Sequence, residues 1–199
     1  MVAALRGVAL VWAILLGGPG ALAHSLGAAP ALLASFAVAT AVAASGRASA
    51  GKAVRLEAAL AGLVAGFASQ PAWIAAIAAL GLCLGLAPRS PTPEGVTEPA
   101  LWIAVGILAP LFEELLYRER LLPALRTRLG SPLAIALSSA LFALPHLEPW
   151  SVLGTFLVGL MLGAVYLGSG SIELCVGLHA GLNLACLLCG ATSLEGARG

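Results

Sequence analysis

The sequence has few charged and polar side chains. Charged residues make up 10% of its 199 residues, all nine acidic residues are Glu, and it contains one Gln (Gln70), one Asn (Asn183) and three His. Hydrophobic residues make up 60% and the mean hydropathy is +1.02. Since charged residues form about a quarter of an ordinary soluble domain, this composition indicates an integral membrane protein. A net charge of +1 excludes a basic surface for nucleic acid and an acidic tail.

Cysteine is also scarce, and its positions do not favour metal or redox chemistry. All four cysteines lie within apolar runs, where a thiol behaves as a small hydrophobic group. Cys186 and Cys189 form a CxxC motif, but no second pair of ligands lies nearby in the sequence. Packing is therefore the favoured interpretation, and the sequence predicts no cofactor.

Apolar segments separated by short polar turns predict an all-α fold, a polytopic transmembrane bundle of about seven to eight helices. We divide the chain into N-terminal transmembrane helices (1–88), a Pro-rich linker (89–99), a second helix bundle (100–190) and a C-terminal tail (191–199). Residues 1–23 fit either a signal peptide or a first transmembrane helix, and the helix is favoured because many spanning segments follow. His24 would then be an interfacial residue.

Two features of the N-terminal half leave the number of crossings open. Ser69-Gln70-Pro71 interrupts the apolar stretch 56–87, which is either one helix with a proline or a hairpin of two short helices. Basic residues cluster at 47–55 and at 118–128, and the positive-inside rule places both clusters on the cytoplasmic side. That requires an even number of crossings between them, which favours a single helix over 56–87.

The most charged stretch is LFEELLYRERL, residues 111–121, in which five of eleven residues are charged. Glu114 and Arg118 are four residues apart, so on a helix they share one face and can pair. Glu113 points about 100° away and lacks that local partner. The stretch is either a solvated helix end or part of a longer helix, from about 100 to 125, that holds Glu113 near the middle of the bilayer.

Two histidine motifs follow. In FALPH, His146 comes one turn after Phe142 at the end of an apolar segment, which is more typical of an interfacial or structural histidine. In HAGLN, His179 and Asn183 share a helix face in the middle of an apolar run, which is typical of a site. A glutamate with a histidine can take a proton from water, and a histidine with an asparagine can stabilise an oxyanion. This set of groups is sufficient to hydrolyse a peptide bond.

EELLYR, FALPH and HAGLN, in this order, resemble the three motifs of the CPBP family of intramembrane glutamic endopeptidases, which includes type II CAAX prenyl proteases and bacteriocin-processing enzymes. Gly159 and Gly163 resemble the small-residue helix between the second and third motifs, and the resemblance covers about residues 100–190. One position departs from the family pattern: Glu119 follows the motif arginine, where glycine is common, which leaves local packing and substrate entry in question.

The resemblance implies a metal-independent intramembrane endopeptidase. It implies that Glu113 and His146 activate the water and that His179 and Asn183 stabilise the oxyanion. Its supporting residues would be Glu114 and Arg118, which position the helix and help to keep the base ionised, and the aromatic residue of the second motif, Phe142.

Several alternatives stay open at this point. Two histidines and a carboxylate (His146, His179 and Glu113) suit zinc, although no HExxH motif is present. A scaffold or immunity protein would share the architecture, whereas a transporter would more often show an internal repeat. The expected partners are the bilayer and a membrane-associated protein or peptide, with no nucleic acid. The Ala, Leu and Gly bias suggests a bacterial inner membrane, and a leader or C-terminal sorting tail rather than a prenylated substrate.

Overall fold

The computed structural model describes residues 55–86 and 99–196, with side chains given through residue 189 except at residue 101. All regular structure in these residues is helical, as predicted. Within the described residues, four stretches are long and apolar enough to cross a membrane: Leu56–Cys83, Ala104–His146, Pro149–Ser169 and Ile172–Cys189. Three predictions concern segments outside the described residues: the total of seven to eight helices, the choice between a signal peptide and a first helix for residues 1–23, and most of the Pro-rich linker.

Five helical elements make up the described chain. Helix α1 is Leu56–Cys83, and α2 is a continuous helix over residues 99–129. Within α2, α-helical turns (Pro99–Ile103, Ala109–Glu114, Leu122–Leu129) alternate with π-helical turns (Ala104–Leu108, Leu115–Leu121). Helix α3 is Ser131–Ala143 with a 3₁₀ turn at Leu144–His146, α4 is Pro149–Ser169 and α5 is Ile172–Gly196. The apolar segments of the second half of the sequence, at about 100–125, 131–145, 150–167 and 172–190, correspond to α2, α3, α4 and α5.

Helix α1 runs through Pro71 without a break, so the structure decides for one helix and against a hairpin. Proline removes one backbone donor, but neighbouring helices and hydroxyl side chains can compensate for this inside a membrane bundle. The Ser69 hydroxyl donates to the carbonyl of Gly66 at 3.2 Å, one turn before the proline. At 28 residues, α1 is about 42 Å long, which is enough to cross the bilayer once.

Close contact between α1 and α5 fixes the position of α1. Gly62 and Gly66 on α1 and Gly177 and Gly181 on α5 lie so close to the opposite helix that an added Cβ would collide with its backbone. Small residues four apart are how apolar helices approach closely in a bilayer, where no hydrophobic force drives them together. The helices run parallel, because Gly62 lies against Leu174 and Gly66 lies further along against Leu178.

Helix α2, by contrast, runs antiparallel to α5. Val105 of α2 contacts Asn183 of α5, whereas Glu114, further along α2, contacts the earlier residue His179. Since α2 is antiparallel to α5 and α1 is parallel to it, the start of α1 and the end of α2 lie at the same end of the bundle. This places Arg55 and the exposed Arg126 and Arg128 at the same end, as an even number of crossings between them requires, and the cytoplasmic location of that end stays a prediction.

The best packed part of the bundle surrounds the middle of α2. Its buried core is formed by residues of α2, α3 and α5, namely Ala109, Phe112, Leu115, Leu116, Tyr117, Leu121, Leu122, Leu125, Ala134, Phe142 and Ile172. The charged stretch of the sequence lies within this apolar core, so its side chains must find their partners inside the protein.

Candidate functional site in the bundle interior

The charged residues of α2 are buried rather than solvated. The exposed fraction is 7% for Glu113, 0% for Glu114 and 1% for Arg118. The helix continues to Leu129, so these residues do not form its end. The structure therefore decides against a solvated cap. Glu119 lies half-buried within the second π-helical turn, and α2 passes through it without interruption.

The predicted pairing of Glu114 with Arg118 is confirmed. Arg118 Nε lies 3.2 Å from Glu114 Oε2, Nη2 donates to the carbonyl of Gly159 at 3.1 Å, and the guanidinium carbon lies 4.4 Å from the centroid of the Phe142 ring. A planar guanidinium can make such contacts in several directions at once, which a lysine ammonium cannot. Arg118 thus joins α2 to α3 and α4.

Gly159 is needed for this junction because α4 approaches α3 closely there. A Cβ at this position would lie 2.9 Å from the Cβ of Ser139 and 3.1 Å from the Phe142 ring. A larger residue would move the carbonyl that Arg118 binds. Gly163, one turn further along α4, faces Ile135 of α3, with 3.1 Å from an added Cβ to the nearest atom.

His179 lies between the two glutamates. Its Nδ1 is 3.0 Å from Glu114 Oε1 and its Nε2 is 3.6 Å from Glu113 Oε2. Glu113 has no partner on its own helix face, as predicted, and its partner comes from α5. Because the Glu114 carboxylate pairs with Arg118, it accepts a hydrogen bond from Nδ1–H. The other ring nitrogen of His179, Nε2, then faces Glu113.

This arrangement balances charge in an apolar environment. The opposite charges of Glu114 and Arg118 cancel. One proton shared between Glu113 and Nε2 of His179, which lie 3.6 Å apart, would leave the four groups with no net charge whichever of the two it resides on. A net charge buried in such surroundings would be strongly unfavourable, so proton exchange between Glu113 and His179 is the change of state that the cluster permits most easily.

Phe142 separates the two histidines of the motifs. Its ring lies edge-on to His179, with 5.6 Å between centroids, and edge-on to His146, with 6.1 Å between centroids. His146 is exposed on the 3₁₀ turn after α3, and within the described residues no hydrogen bond or ion pair joins it to Glu113. The structure thus brings Glu113, Glu114, Arg118, Phe142 and His179 together and places His146 at the edge of this cluster.

The turn after His146 has an unusual backbone. Leu147 has φ of 59°, in the left-handed region that a non-glycine residue rarely adopts. Glu148 then donates its backbone N–H to the carbonyl of His146 at 2.6 Å, and its side chain accepts from the N–H of Ser151 at the start of α4. This tight turn determines where the chain at His146 lies, and no feature of the motif spacing indicates it.

Asn183 donates its amide to the carbonyl of Val105 at 2.9 Å. Val105 lies in the first π-helical turn, where the N–H of Ala109 donates to Ala104. The next residue that could donate to Val105 is Pro110, which has no N–H. Asn183 thus satisfies a carbonyl that the helix leaves unpaired. Pro110 is the feature of the sequence that indicates this contact, and the spacing of the motifs does not reveal it.

The alternative of a zinc site receives no geometric support from the part of the chain that the structure describes. Within residues 55–86 and 99–196, no three or more His, Cys, Asp or Glu side chains are arranged to hold a metal ion. Glu113 and His179 are adjacent, whereas the ring contact of His146 is with Phe142. Independence from a metal stays a prediction for experiment.

The apolar helices and the buried polar cluster indicate an integral membrane protein with a polar cluster in its interior. Residues 95–185 match the family described as Type II CAAX prenyl endopeptidase Rce1-like. This match confirms the predicted assignment of that segment to the CPBP, or CAAX protease-like, family and indicates a peptidase of the CAAX protease type. It covers α2, α3, α4 and part of α5 and leaves α1 outside. No curated protein and no solved structure gives a significant match.

Proposed function

We propose that the protein is an intramembrane endopeptidase of the glutamic type, which hydrolyses a peptide bond in a membrane-associated protein or peptide. The observation that carries the proposal is the position of His179 between Glu113 and Glu114, with Arg118 behind them. This chain of contacts provides a carboxylate that can take a proton and a histidine held in one orientation. Both are requirements of general acid–base catalysis.

In the proposed reaction, Glu113 takes a proton from a water molecule, assisted by His146, and the water oxygen bonds to the carbonyl carbon of the substrate. Glu113 can act as the base when the proton that it shares with His179 resides on Nε2, and this Nε2–H donates a hydrogen bond to the oxyanion, since Nδ1–H already binds Glu114. The Asn183 amide would leave the carbonyl of Val105 and donate its hydrogen bond to the same oxyanion. The oxyanion then re-forms the carbonyl, the carbon–nitrogen bond breaks, and the proton that Glu113 took from water passes to the leaving nitrogen, giving a free acid and a free amine.

One observation favours a second function, that of a non-proteolytic scaffold or immunity protein. Two of the four proposed catalytic side chains stand apart from Glu113, because His146 is exposed at the edge of the cluster and the Asn183 amide is already bound to Val105. In a scaffold, the buried cluster would serve only to hold the helices together, and activity in cells would not depend on Glu113.

We further propose that the protein resides in a bacterial inner membrane and acts on a leader peptide or a C-terminal sorting tail. The family description names a prenyl endopeptidase, so a prenylated tail is the competing substrate class. The amino-acid composition supports a leader peptide or sorting tail, and the family match supports a prenylated tail.

The deciding experiment compares protein termini in the membranes of host cells that express the wild type, Glu113→Gln or Glu57→Gln. Glu57 is an exposed glutamate in the first turn of α1 and provides a matched control. We expect mass spectrometry to find termini that the wild type and Glu57→Gln generate and that Glu113→Gln does not. If Glu113→Gln is folded, equally abundant and generates the same termini, the endopeptidase proposal is wrong.

Metal removal should leave cleavage unchanged. Purified protein treated with 1,10-phenanthroline and EDTA is expected to cleave its peptide at the untreated rate, because Glu113 and His179 are partners of each other rather than ligands arranged around a cation. The measurement is the initial rate before and after chelation, with a zinc endopeptidase as a positive control for the chelator. Loss of activity that added zinc restores would establish the metal alternative instead.

A further inference from the structure

Gln70 is a buried polar side chain that the proposed reaction does not use. It is the one glutamine of the chain, lies on α1 outside the family match, and has an exposed fraction of 3%. Polar side chains in a spanning helix are unfavourable unless they have a partner or a function, so a lone buried glutamine in this helix calls for an explanation.

The partner of Gln70 is a weak one. Its Nε2 donates to Sγ of Cys186 on α5 at 3.5 Å, and this thiol is the hydrogen-bond partner that the described residues offer it. A carboxamide can donate two hydrogen bonds and accept two, whereas a thiol is a poor acceptor. By comparison, the Asn183 amide binds a backbone carbonyl at 2.9 Å. Most of the hydrogen-bonding capacity of Gln70 is therefore available to another group.

The contact with Cys186 places Gln70 in line with two proposed catalytic residues. His179, Asn183 and Cys186 are separated by four and three positions, so they share one face of α5. The register of α1 along α5 is fixed by the glycine contacts that precede Gln70 on α1. The side chain of Gln70 thus contacts the face of α5 that carries His179 and Asn183, about one helical turn beyond Asn183.

The distance along this face corresponds to a short length of extended peptide. From His179 to Cys186 the helix rises about 10 Å. An extended peptide advances about 3.3 Å per residue, so this rise corresponds to about three residues. A peptide with its scissile carbonyl near His179 and its backbone along α5 would therefore pass Gln70 about three residues away.

We propose that Gln70 is a substrate-positioning residue that binds the peptide backbone about three residues from the scissile bond. This inference rests on the proposed endopeptidase function. The carboxamide exchanges its thiol partner for a backbone N–H and C=O, both of which are better hydrogen-bonding groups. Because the contact is with backbone, it selects an extended segment rather than a particular side chain.

A structural role is the competing explanation, since polar side chains also join helices within membranes. Gln70→Leu separates the two roles, because leucine keeps an apolar side chain of similar size between α1 and α5 and removes both hydrogen-bonding groups. The neighbouring Ser69→Ala is the control, since Ser69 bonds only within its own helix.

The test uses a peptide that spans a cleavage site found by the comparison of termini. Two further versions carry an ester in place of the amide three residues before or three residues after the scissile bond. For Gln70→Leu, we expect KM to rise about 3- to 10-fold with kcat nearly unchanged, since a net hydrogen bond contributes about 0.5–1.5 kcal/mol. One of the two esters should raise KM for the wild type and Ser69→Ala but not for Gln70→Leu.

The outcomes separate this inference from the function on which it rests. If the wild type cleaves the peptide and Gln70→Leu shows the same KM and the same response to both esters, the positioning role is wrong. A lower unfolding temperature for Gln70→Leu with unchanged KM would assign it to helix packing instead. If the wild type cleaves no peptide, the proposed function fails, and the inference fails with it.

Discussion

Arg118→Met is expected to lower the free energy of unfolding by about 3–5 kcal/mol, a large fraction of the stability of a protein this size. The arginine contacts Glu114, the carbonyl of Gly159 and the Phe142 ring, and its side chain is almost fully buried. Its removal leaves the Glu114 carboxylate in an apolar core without its counterion. The measurement is denaturant-induced unfolding in detergent micelles.

The control for this prediction is Arg126→Met, which removes an exposed arginine from the last turn of α2 and should change stability by no more than about 0.5 kcal/mol. The double variant Glu114→Leu with Arg118→Met should be more stable than Arg118→Met alone, because it removes the stranded charge. If Arg118→Met is no less stable than Arg126→Met, the junction described at Arg118 does not hold the helices together.

His179→Asn is expected to lower the cleavage rate about 10²- to 10⁴-fold while the protein stays folded. An asparagine amide can take the place of Nδ1–H and donate to Glu114, which leaves the Glu114–Arg118 ion pair in place. It has no counterpart of Nε2, which faces Glu113 and exchanges the proton in the proposed reaction. The measurement pairs initial cleavage rates with the unfolding temperature.

The complementary variant is His179→Gln, whose amide lies nearer the position of Nε2 than that of Nδ1. It should lose the contact with Glu114 and be less stable than His179→Asn. If His179→Asn retains more than a tenth of wild-type activity, His179 does not exchange the proton. The second histidine, His146, would then be the partner of Glu113, and the bundle would have to change shape to bring them together.

Pairing these variants with Glu113→Gln distinguishes a peptidase from a scaffold. A peptidase should lose cleavage with His179→Asn and with Glu113→Gln, both of which preserve the arginine pair. A scaffold should respond only to Arg118→Met, which disrupts packing. The two predictions with large effects thus test chemistry and stability through different side chains of one cluster.

The sequence by itself determined the membrane environment, the helical class, the positions of α2 to α5, and the pairing of Glu114 with Arg118. These features depend on composition and on short spacings, because a 3.6-residue repeat puts residues four apart on one face whatever the rest of the chain does. The motif order also indicated the family that the match to residues 95–185 confirms.

Only the tertiary structure decided which groups those side chains meet. His179 reaches Glu114 across 65 residues, Asn183 reaches Val105 across 78, and Gln70 reaches Cys186 across 116. Local periodicity carries no information about contacts at such separations. They are set by how closely glycines let α1 approach α5, by the carbonyl that Pro110 leaves unpaired, and by the need to neutralise charges buried in an apolar core.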